Sequence, residues 1–192
     1  MKRATSNDKP LIKNILTNSF ASNLSVNYII KQDAKRIRRI QALMDYSIDV
    51  CSMFGEVLLS DDDKGCALIL YPQRKRITLR SIVLDFRLIF RAIGLIGITK
   101  AFTREGLIKD KQAKDAMLYV WFIGVDPLYQ KQGIGSRLLE ELIKKADNQN
   151  LPIYLETSTL NNLPWYQRFG FEIYNQIELS YTLFFLRRLT SK

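Results

Sequence analysis

A loop with two glycines, at residues 130–135, precedes an apolar helix and contains residue types that bind an anion. Glycines let the backbone curl so that successive N–H groups point into one concavity, and a helix N-terminus adds unpaired donors and a favourable dipole. Lys131 and Arg137 add positive charge beside these donors. The segment "QKQGIG" therefore predicts a site for an anionic group, although two glycines are also common in ordinary strand-to-helix turns.

Two other phosphate-binding loops can be compared with this loop by counting positions. A Walker A loop requires lysine and then serine or threonine directly after its last glycine, and lysine follows neither glycine here. A dinucleotide fingerprint requires three glycines at the immediate end of a strand, whereas Leu138 holds the third position and Gly133 lies eight residues after Val125. Because Glu156 lies at about the distance expected of a ribose-binding acid, the dinucleotide interpretation is weakened but left open.

Glu156 is the best candidate for a general base. The sequence contains no histidine, which excludes imidazole bases and leaves carboxylates, tyrosine, thiols or ordered water. Glu156 lies in the apolar run 151–158, where a carboxylate is uncommon unless it is functional or paired. A paired structural carboxylate fits the sequence as well. Cys51 and Cys66 lack a C-x-x-C spacing, so we expect no metal site and a reducing, cytoplasmic setting.

The glycine loop must be positioned by the strand before it and the helix after it. Residues 117–125 are apolar on both alternating faces, which is typical of a central strand covered on each side. Gly124 near its end suggests a bulge or a close approach to the backbone. The following helix has an apolar face formed by Leu138, Leu139, Leu142, Ile143 and Ala146. A strand at 151–158, a short helix at 163–169 and a hairpin at 170–189 complete this half.

The first half of the chain predicts helices and one hairpin. A helix with Asn7 and Asp8 as caps carries Leu11, Ile15 and Leu16, and a second, starting near Asp33, carries Ile37, Ile40, Leu43, Met44 and Ile48. Residues 54–59 and 66–71 predict two strands around an acidic turn. Residues 81–102 predict two amphipathic helices broken near Gly94 and Gly97, and residues 103–114 a polar surface connection.

Length, composition and charge favour one globular domain with a basic surface. The 192 residues are 47% hydrophobic and 25% charged, with a net charge of +10. Such a surface attracts polyanions, including nucleic acid and phosphate-rich cofactors. The densest basic cluster, "KRIRR" at 35–39, is interpreted as a solvated helix face. No signal-peptide pattern opens the sequence, and Asp85, Arg87 and Arg91 interrupt the most apolar segment before the ~20 residues that a membrane span needs.

The glycine loop and a second block together resemble the GNAT superfamily of N-acetyltransferases. The pattern Gln130-x-x-Gly133-x-Gly135 is similar to the family's acetyl-CoA pyrophosphate loop, and "NNLPWYQRFGFEIY" is similar to its downstream block. These motifs cover residues 117–174, and the first half agrees only in element order. The resemblance implies an α/β (α+β) fold: a central mixed, mostly antiparallel sheet with two splayed parallel strands and flanking helices. It further implies one domain over 1–192, with a helical insertion at about 78–114.

The same resemblance implies an acetyl-CoA-dependent transfer of an acetyl group to a primary amine by direct attack on the thioester. A backbone N–H near Ile123 or Gly124 would polarise the acetyl carbonyl, and Tyr166 would be the general acid, with ring packing under the cofactor as its alternative role. Asn162, or its neighbour Asn161, would touch the cofactor or cap the short helix. The expected cofactor-binding residues are Ile123, Gly124, Val125, Gln130, Lys131, Gln132, Gly133, Ile134, Gly135, Ser136, Asn162 and Tyr166.

Two other functions are left open. One is a GNAT-fold protein that binds acetyl-CoA without catalysis, and the less favoured one is a basic nucleic-acid-binding protein, which would lack any known recognition motif here. We expect an amine acceptor that is a small molecule rather than a protein, approached from the side that the insertion covers. We expect no specific nucleic acid, membrane span or metal, and the oligomeric state is left open, a homodimer included.

Overall fold

The structure is a computed structural model that describes residues 1–94 and 97–190. Within these residues seven strands form one sheet in the order β1-β2-β3-β4-β5-β7-β6. All neighbouring strands are antiparallel except β4 and β5, which are parallel. This confirms the predicted mixed, mostly antiparallel sheet. The strands are β1 Lys2–Arg3, β2 Gly55–Leu59, β3 Gly65–Leu70, β4 Leu118–Val125, β5 Ile153–Thr157, β6 Glu172–Glu178 and β7 Thr182–Arg188.

Helices cover both faces of the sheet. Side chains of α1 and α3 pack on one face and those of α6 and α7 on the other, because successive strand residues point to opposite faces. No helix of the described ranges is long and apolar enough to cross a membrane. The helices are α1 Lys9–Ser19, α2 Leu24–Ile29, α3 Arg36–Phe54, α4 Leu79–Leu88, α5 Ile98–Lys111, α6 Ile134–Asn148 and α7 Leu163–Arg168.

Several details of the first half differ from the sequence-based prediction. In α1 the buried face contains Ile12, Ile15 and Leu16, whereas Leu11 is exposed. Ile37 on α3 is exposed as well, because it lies in the first turn of the helix, before the part that packs on α1 and the sheet. The short helix α2 was not predicted. Residues 103–111 belong to α5 rather than to a surface connection, because polar residues there form the outer side of an amphipathic helix.

The segment at about 78–114, the predicted insertion, contains α4, a π-helical turn at Ile89–Ile93 and α5. Gly94 ends the turn with a left-handed φ of 74°, and Gly97 is the N-cap of α5, which confirms the predicted break. The part of the predicted segment 81–102 at positions 95 and 96 lies outside the described residues, as do positions 191 and 192. That one domain covers 1–192 stays a prediction.

Cys51 and Cys66 are buried and unpaired. Burial raises the pKa of both thiols well above the ordinary value, which disfavours the reactive thiolate. Both side chains are therefore part of the core, and neither is a candidate nucleophile. The cytoplasmic location stays a prediction.

Gly55 at the start of β2 is predicted to be essential for stability. A Cβ atom there would lie 1.8 Å from the Ile69 carbonyl oxygen, and backbone cannot move aside as a flexible side chain can. We expect Gly55→Ala to lower the free energy of unfolding by about 3 kcal/mol or more. Chemical denaturation measures this loss.

A second glycine provides a matched control for this experiment. Gly106 lies inside α5 with nothing within 4 Å of its added Cβ. Gly106→Ala is expected to raise stability by roughly 0.5–1 kcal/mol, because alanine restricts the unfolded chain and favours helix. Equal effects of the two alanines would contradict the steric explanation.

Candidate active site

The two parallel strands separate soon after they meet. β4 and β5 pair only at Leu118 with Ile153 and at Tyr119 with Tyr154. β4 continues to Val125 along β3, while β5 continues along β7. A register shift in the β3–β4 pairing leaves an extra residue at Trp121, and a bulge bends and twists its strand. The predicted splay of the two parallel strands is confirmed. The bulge at Trp121 lies where β4 begins to separate from β5.

A cavity of about 1440 Å³ lies at this opening. One end is lined by the glycine loop, the middle by the separated ends of β4 and β5 and by α7, and the other end by α2, α4 and α5. The cavity therefore joins the predicted anion-binding loop to the two predicted catalytic side chains, Glu156 and Tyr166, which both line it.

The glycine loop has a backbone suited to an anion. Lys131 and Gly133 both adopt left-handed conformations, with φ values of 62° and 78°, and Gly133 is the N-cap of α6. No described group accepts a hydrogen bond from the N–H groups of Ile134, Gly135 and Ser136, since these belong to the first helical turn. Three free donors and the helix dipole thus point toward the cavity end.

Side chains of the loop hold its shape. The Gln130 amide donates to the Val125 carbonyl oxygen over 3.2 Å, and the Trp165 indole donates to the Ser136 hydroxyl over 3.1 Å. Gln132 is the one predicted cofactor-binding residue that does not line the cavity. We therefore predict that the backbone of this loop binds the ligand, while the side chains of Gln130 and Ser136 hold the loop in place.

Strand alternation identifies which backbone groups of β4 face the opening. The Asp126 N–H donates to the Lys64 carbonyl beside β3, so the N–H of Gly124, two residues earlier, also points to β3. The N–H groups of Ile123 and Val125 then point to the separated edge. Of the two predicted oxyanion donors, Ile123 has the suitable direction and Gly124 does not.

Side chains of α1 fill the space beside Gly124. A Cβ atom there would lie 3.2 Å from Leu16 Cδ2 and 3.3 Å from Ser19 Oγ. The predicted close approach at Gly124 is therefore made by α1, and the predicted alternative, a bulge, occurs at Trp121 instead. Ser19 also lies 2.7 Å from the Val125 carbonyl oxygen, so α1 fixes the end of β4.

Tyr166 projects from α7 into the apolar layer under the cavity. Its ring packs against Trp165, with 4.7 Å between ring centroids, and against Phe171 at 5.6 Å. No described residue forms a hydrogen bond with the Tyr166 hydroxyl group. Tyr166 is one of the residues that line the cavity. Burial raises the pKa of Tyr166 above its ordinary value, so the phenol stays protonated and able to donate.

Glu156 lies between two donors that the sequence did not reveal. The Gln112 amide donates to Oε1 over 3.0 Å, and the Tyr119 hydroxyl donates to Oε2. Burial raises the pKa of Glu156, while these two hydrogen bonds oppose the shift. Tyr119 lies on the same face of β4 as Trp121 and Phe122, but nothing local indicated Gln112, at the end of α5.

Asn162 is the N-cap residue of α7, yet its side chain makes no capping hydrogen bond. Both Asn161 and Asn162 line the cavity. Of the two predicted roles, side-chain capping is wrong for Asn162, because the preceding 3₁₀ turn at Leu160–Asn162 already begins the helix. Contact with a ligand stays a prediction.

The far end of the cavity contains acidic and aromatic side chains. The Tyr46 hydroxyl donates to Asp85 Oδ1 over 2.8 Å, and the Tyr46 ring lies 6.1 Å from that of Trp121. Glu105 on α5 lines the same region. Lys75, Arg104 and Lys109 line the cavity as well, and Lys109 pairs with Glu105. The Asp85 carboxylate beside the two aromatic rings is therefore the part that suits a cation with an apolar body. The sequence did not predict it, because the residues come from α3, α4, β4 and α5.

Among the described residues no group of three or more acidic, cysteine or histidine side chains could hold a metal ion. That the site needs no metal stays a prediction.

Comparisons with known proteins show what the part of the chain around the cavity is similar to. A family model described as an acetyltransferase (GNAT) domain matches residues 89–173, the region that includes the splayed strands, the glycine loop and α7. This region of the chain is therefore similar to the GNAT acetyltransferase domain. Residues 1–88 and 174–192 lie outside the matched region.

Individual relatives match either a part of the chain or the whole chain at low sequence identity. An uncharacterized N-acetyltransferase of Schizosaccharomyces pombe is 39% identical over 74 residues, which cover 38% of this chain and 29% of that relative. A Corynebacterium glutamicum structure described as histone acetyltransferase HPA2 and related acetyltransferase has a TM-score of 0.72 at 18% identity, covering 100% of this chain and 96% of that one. The C-terminal condensation domain of Ebony, in complex with beta-alanyl-dopamine, has a TM-score of 0.70 at 10% identity, with 97% and 96% covered. The two structures share the fold.

Proposed function

We propose that this chain is an N-acetyltransferase that transfers an acetyl group from acetyl-CoA to a primary amine. The observation that carries the proposal is the opening between β4 and β5, which brings the Glu156 carboxylate and the Tyr166 residue to one cavity. The free N–H groups at the start of α6 lie at an end of the same cavity. A base, an acid and an anion-binding end in one continuous space are what acetyl transfer from a nucleotide thioester requires.

The residues present fit acetyl-CoA. The N–H groups of Ile134, Gly135 and Ser136 would hold the pyrophosphate, with Lys131 supplying charge. The cavity edge of β4, at Ile123 and Val125, would pair with the pantetheine arm. When bound there, acetyl-CoA supplies an acetyl group activated as a thioester.

The protein would promote the reaction through three groups. Glu156 accepts a proton from the incoming amine, so that the nitrogen lone pair can form the new C–N bond. The Ile123 N–H donates to the acetyl oxygen, where negative charge develops. Tyr166 donates a hydrogen bond or its proton to the sulfur as the C–S bond breaks. The raised pKa of Tyr166 makes full proton transfer harder, but the same burial also raises the proton affinity of a thiolate.

The far end of the cavity would hold the acceptor. We propose an amine with an aromatic or aliphatic body, because Asp85 provides negative charge while Tyr46 and Trp121 provide aromatic surface. The enclosure by α4 and α5 favours a small molecule over a protein. Calorimetry with acetyl-CoA, beside a thiol-release assay, tests the proposal with a panel of an arylalkylamine, a polyamine, an aminoglycoside and a peptide amine. Binding without release for any amine would favour the non-catalytic alternative, and absence of binding would refute the proposal.

Replacing Glu156 should change the pH dependence of the reaction. The parent rate is expected to fall toward low pH as Glu156 becomes protonated, at a pH above the ordinary range for glutamate because burial raises its pKa. Glu156→Gln should lower the rate at least tenfold and flatten this acid limb. Profiles of kcat/KM measure both effects, with Glu178→Gln on exposed β6 as the control.

A stability measurement provides a second readout for the same variant. Since the folded-state pKa of Glu156 is raised, its contribution to stability is full below the unfolded pKa and is lost as pH rises through the folded pKa. Glu156→Gln should remove this pH-dependent loss. An unchanged acid limb with an altered stability profile would make Glu156 a structural carboxylate.

A further inference from the structure

The outer surface of the insertion carries an apolar stripe, formed by Leu79, Ile82, Val83, Phe86 and Phe90. Steps of three and four residues align these side chains along one line of α4 and the π-helical turn. Leu79, Phe86 and Phe90 are 85%, 58% and 66% exposed. Contiguous exposed apolar surface of this kind is rare on soluble proteins unless it binds something.

The opposite face of the same helix already attaches it to the protein. Leu84, Ala92 and Ile93 are buried in the core beside α3. The Tyr46 hydroxyl donates to Asp85 from α3. The apolar stripe is therefore not needed to hold α4 in place, and its composition requires a different explanation.

Basic residues are concentrated beside the apolar stripe. Residues 72–94 contain six basic residues and one acidic residue, Asp85, so half of the net charge of +10 lies in this segment. All six basic residues are exposed. Arg80, Arg87 and Arg91 follow one another at seven and four residues and line one flank of the stripe. The cluster at 35–39 differs, because Arg39 there is paired with Asp33 at 2.7 Å.

We propose that the apolar stripe and its basic flank form a docking surface for an anionic lipid membrane, with α4 lying in the plane of the headgroups. Phe86 and Phe90 would enter the boundary of the acyl chains while the arginines contact anionic headgroups, the arrangement by which amphipathic helices bind membrane surfaces. Duplex DNA would contact the basic flank through its phosphates and leave the phenylalanines in water. A second copy packed antiparallel across the stripe would bring the two basic flanks together. The proposal does not depend on the acetyltransferase activity.

The inner side of the same helix faces the cavity, through Asp85 and Leu88. Docking would therefore place the acceptor end of the cavity close to the membrane surface. The closing experiment measures docking alone, without acetyl-CoA or an acceptor, so its result is separate from any failure of catalysis.

The test is co-sedimentation of the full chain with vesicles. Binding is expected to mixed phosphatidylglycerol and phosphatidylcholine vesicles, to weaken with salt, and to be much weaker with phosphatidylcholine alone. Phe86→Ser/Phe90→Ser should lower the partition at least tenfold. Leu189→Ser, which removes another exposed apolar side chain, should leave it unchanged.

A second pair of variants tests the basic flank. Arg80→Gln/Arg87→Gln should lower the partition about thirty-fold, since each basic residue near an anionic surface contributes about five-fold. Lys114→Gln/Lys144→Gln removes the same charge from exposed positions elsewhere and should lower it far less. Thermal melts by circular dichroism establish that each variant is folded.

Three results would overturn the proposal. One is absence of binding to anionic vesicles, or equal binding by the phenylalanine variant. Another is a dimer in analytical ultracentrifugation that Phe86→Ser/Phe90→Ser dissociates while vesicles do not bind the parent, which would make the stripe a self-association surface. The third is retention on duplex DNA that depends on the arginines but not on the phenylalanines, without vesicle binding.

Discussion

Gly135→Leu is expected to lower the affinity for acetyl-CoA at least a hundredfold while leaving the fold intact. The leucine side chain would occupy the space in front of the first turn of α6, where the N–H groups of Ile134 and Ser136 are free. Charge-assisted hydrogen bonds contribute about 1.5–3 kcal/mol each, so the loss of two is sufficient for this effect. Isothermal calorimetry measures the affinity, and a thermal melt measures the fold.

Gly135→Ala is the matched control for this variant. A Cβ atom at Gly135 would lie 3.6 Å from Val125 Cγ2 and 3.8 Å from Trp165 Cζ2, which is ordinary contact, so alanine should retain folding and most of the affinity. Gly133 is a poorer test position, because its φ of 78° adds backbone strain to any substitution. Full affinity in the leucine variant would exclude the loop as the pyrophosphate site.

Tyr166→Phe is expected to lower kcat at least tenfold with the affinity for acetyl-CoA nearly unchanged. The variant retains the ring that packs on Trp165 and Phe171 and removes only the hydroxyl group, which assists departure of the sulfur. Loss of a positioned general acid costs on the order of a hundredfold or more in favourable cases. Steady-state kinetics measures kcat, and calorimetry measures affinity.

Tyr174→Phe on β6 is the control, since Tyr174 is an aromatic residue of the same sheet that packs on Tyr154 and Phe185. Because the raised pKa keeps Tyr166 protonated through the neutral range, the parent rate should show no alkaline limb from this group near neutral pH. Unchanged turnover in Tyr166→Phe would leave the tyrosine with the alternative role of ring packing alone.

Local patterns predicted the parts of the site that are continuous in sequence. The β2–β3 hairpin, β4, the glycine loop, α6 and α7 all follow from periodicity, turn residues and glycine positions, because those properties depend on neighbours along the chain. Gly133 illustrates this: a left-handed conformation at a helix start requires a residue without a side-chain penalty.

Other parts of the site depend on distant segments. Gln112 and Tyr119 lie 44 and 37 residues from Glu156 in the sequence, yet both donate to its carboxylate. The space beside Gly124 is taken by α1, from the beginning of the chain. Such contacts are set by how helices pack on the sheet, and a single sequence contains no local pattern that specifies them.

The apolar segment at 81–102 shows most clearly which features the sequence predicts and which depend on tertiary packing. The sequence determined that the chain forms amphipathic helix there and that arginines interrupt it before a membrane span. α4 and the π-helical turn have apolar side chains on two sides, with Leu84 and Leu88 on one side and Phe86 and Phe90 on the other. Periodicity alone does not predict which of the two sides is buried. Only the packing of α4 against α3 decided that Leu84 is buried and that Phe90 faces solvent, because burial is a property of neighbours in space.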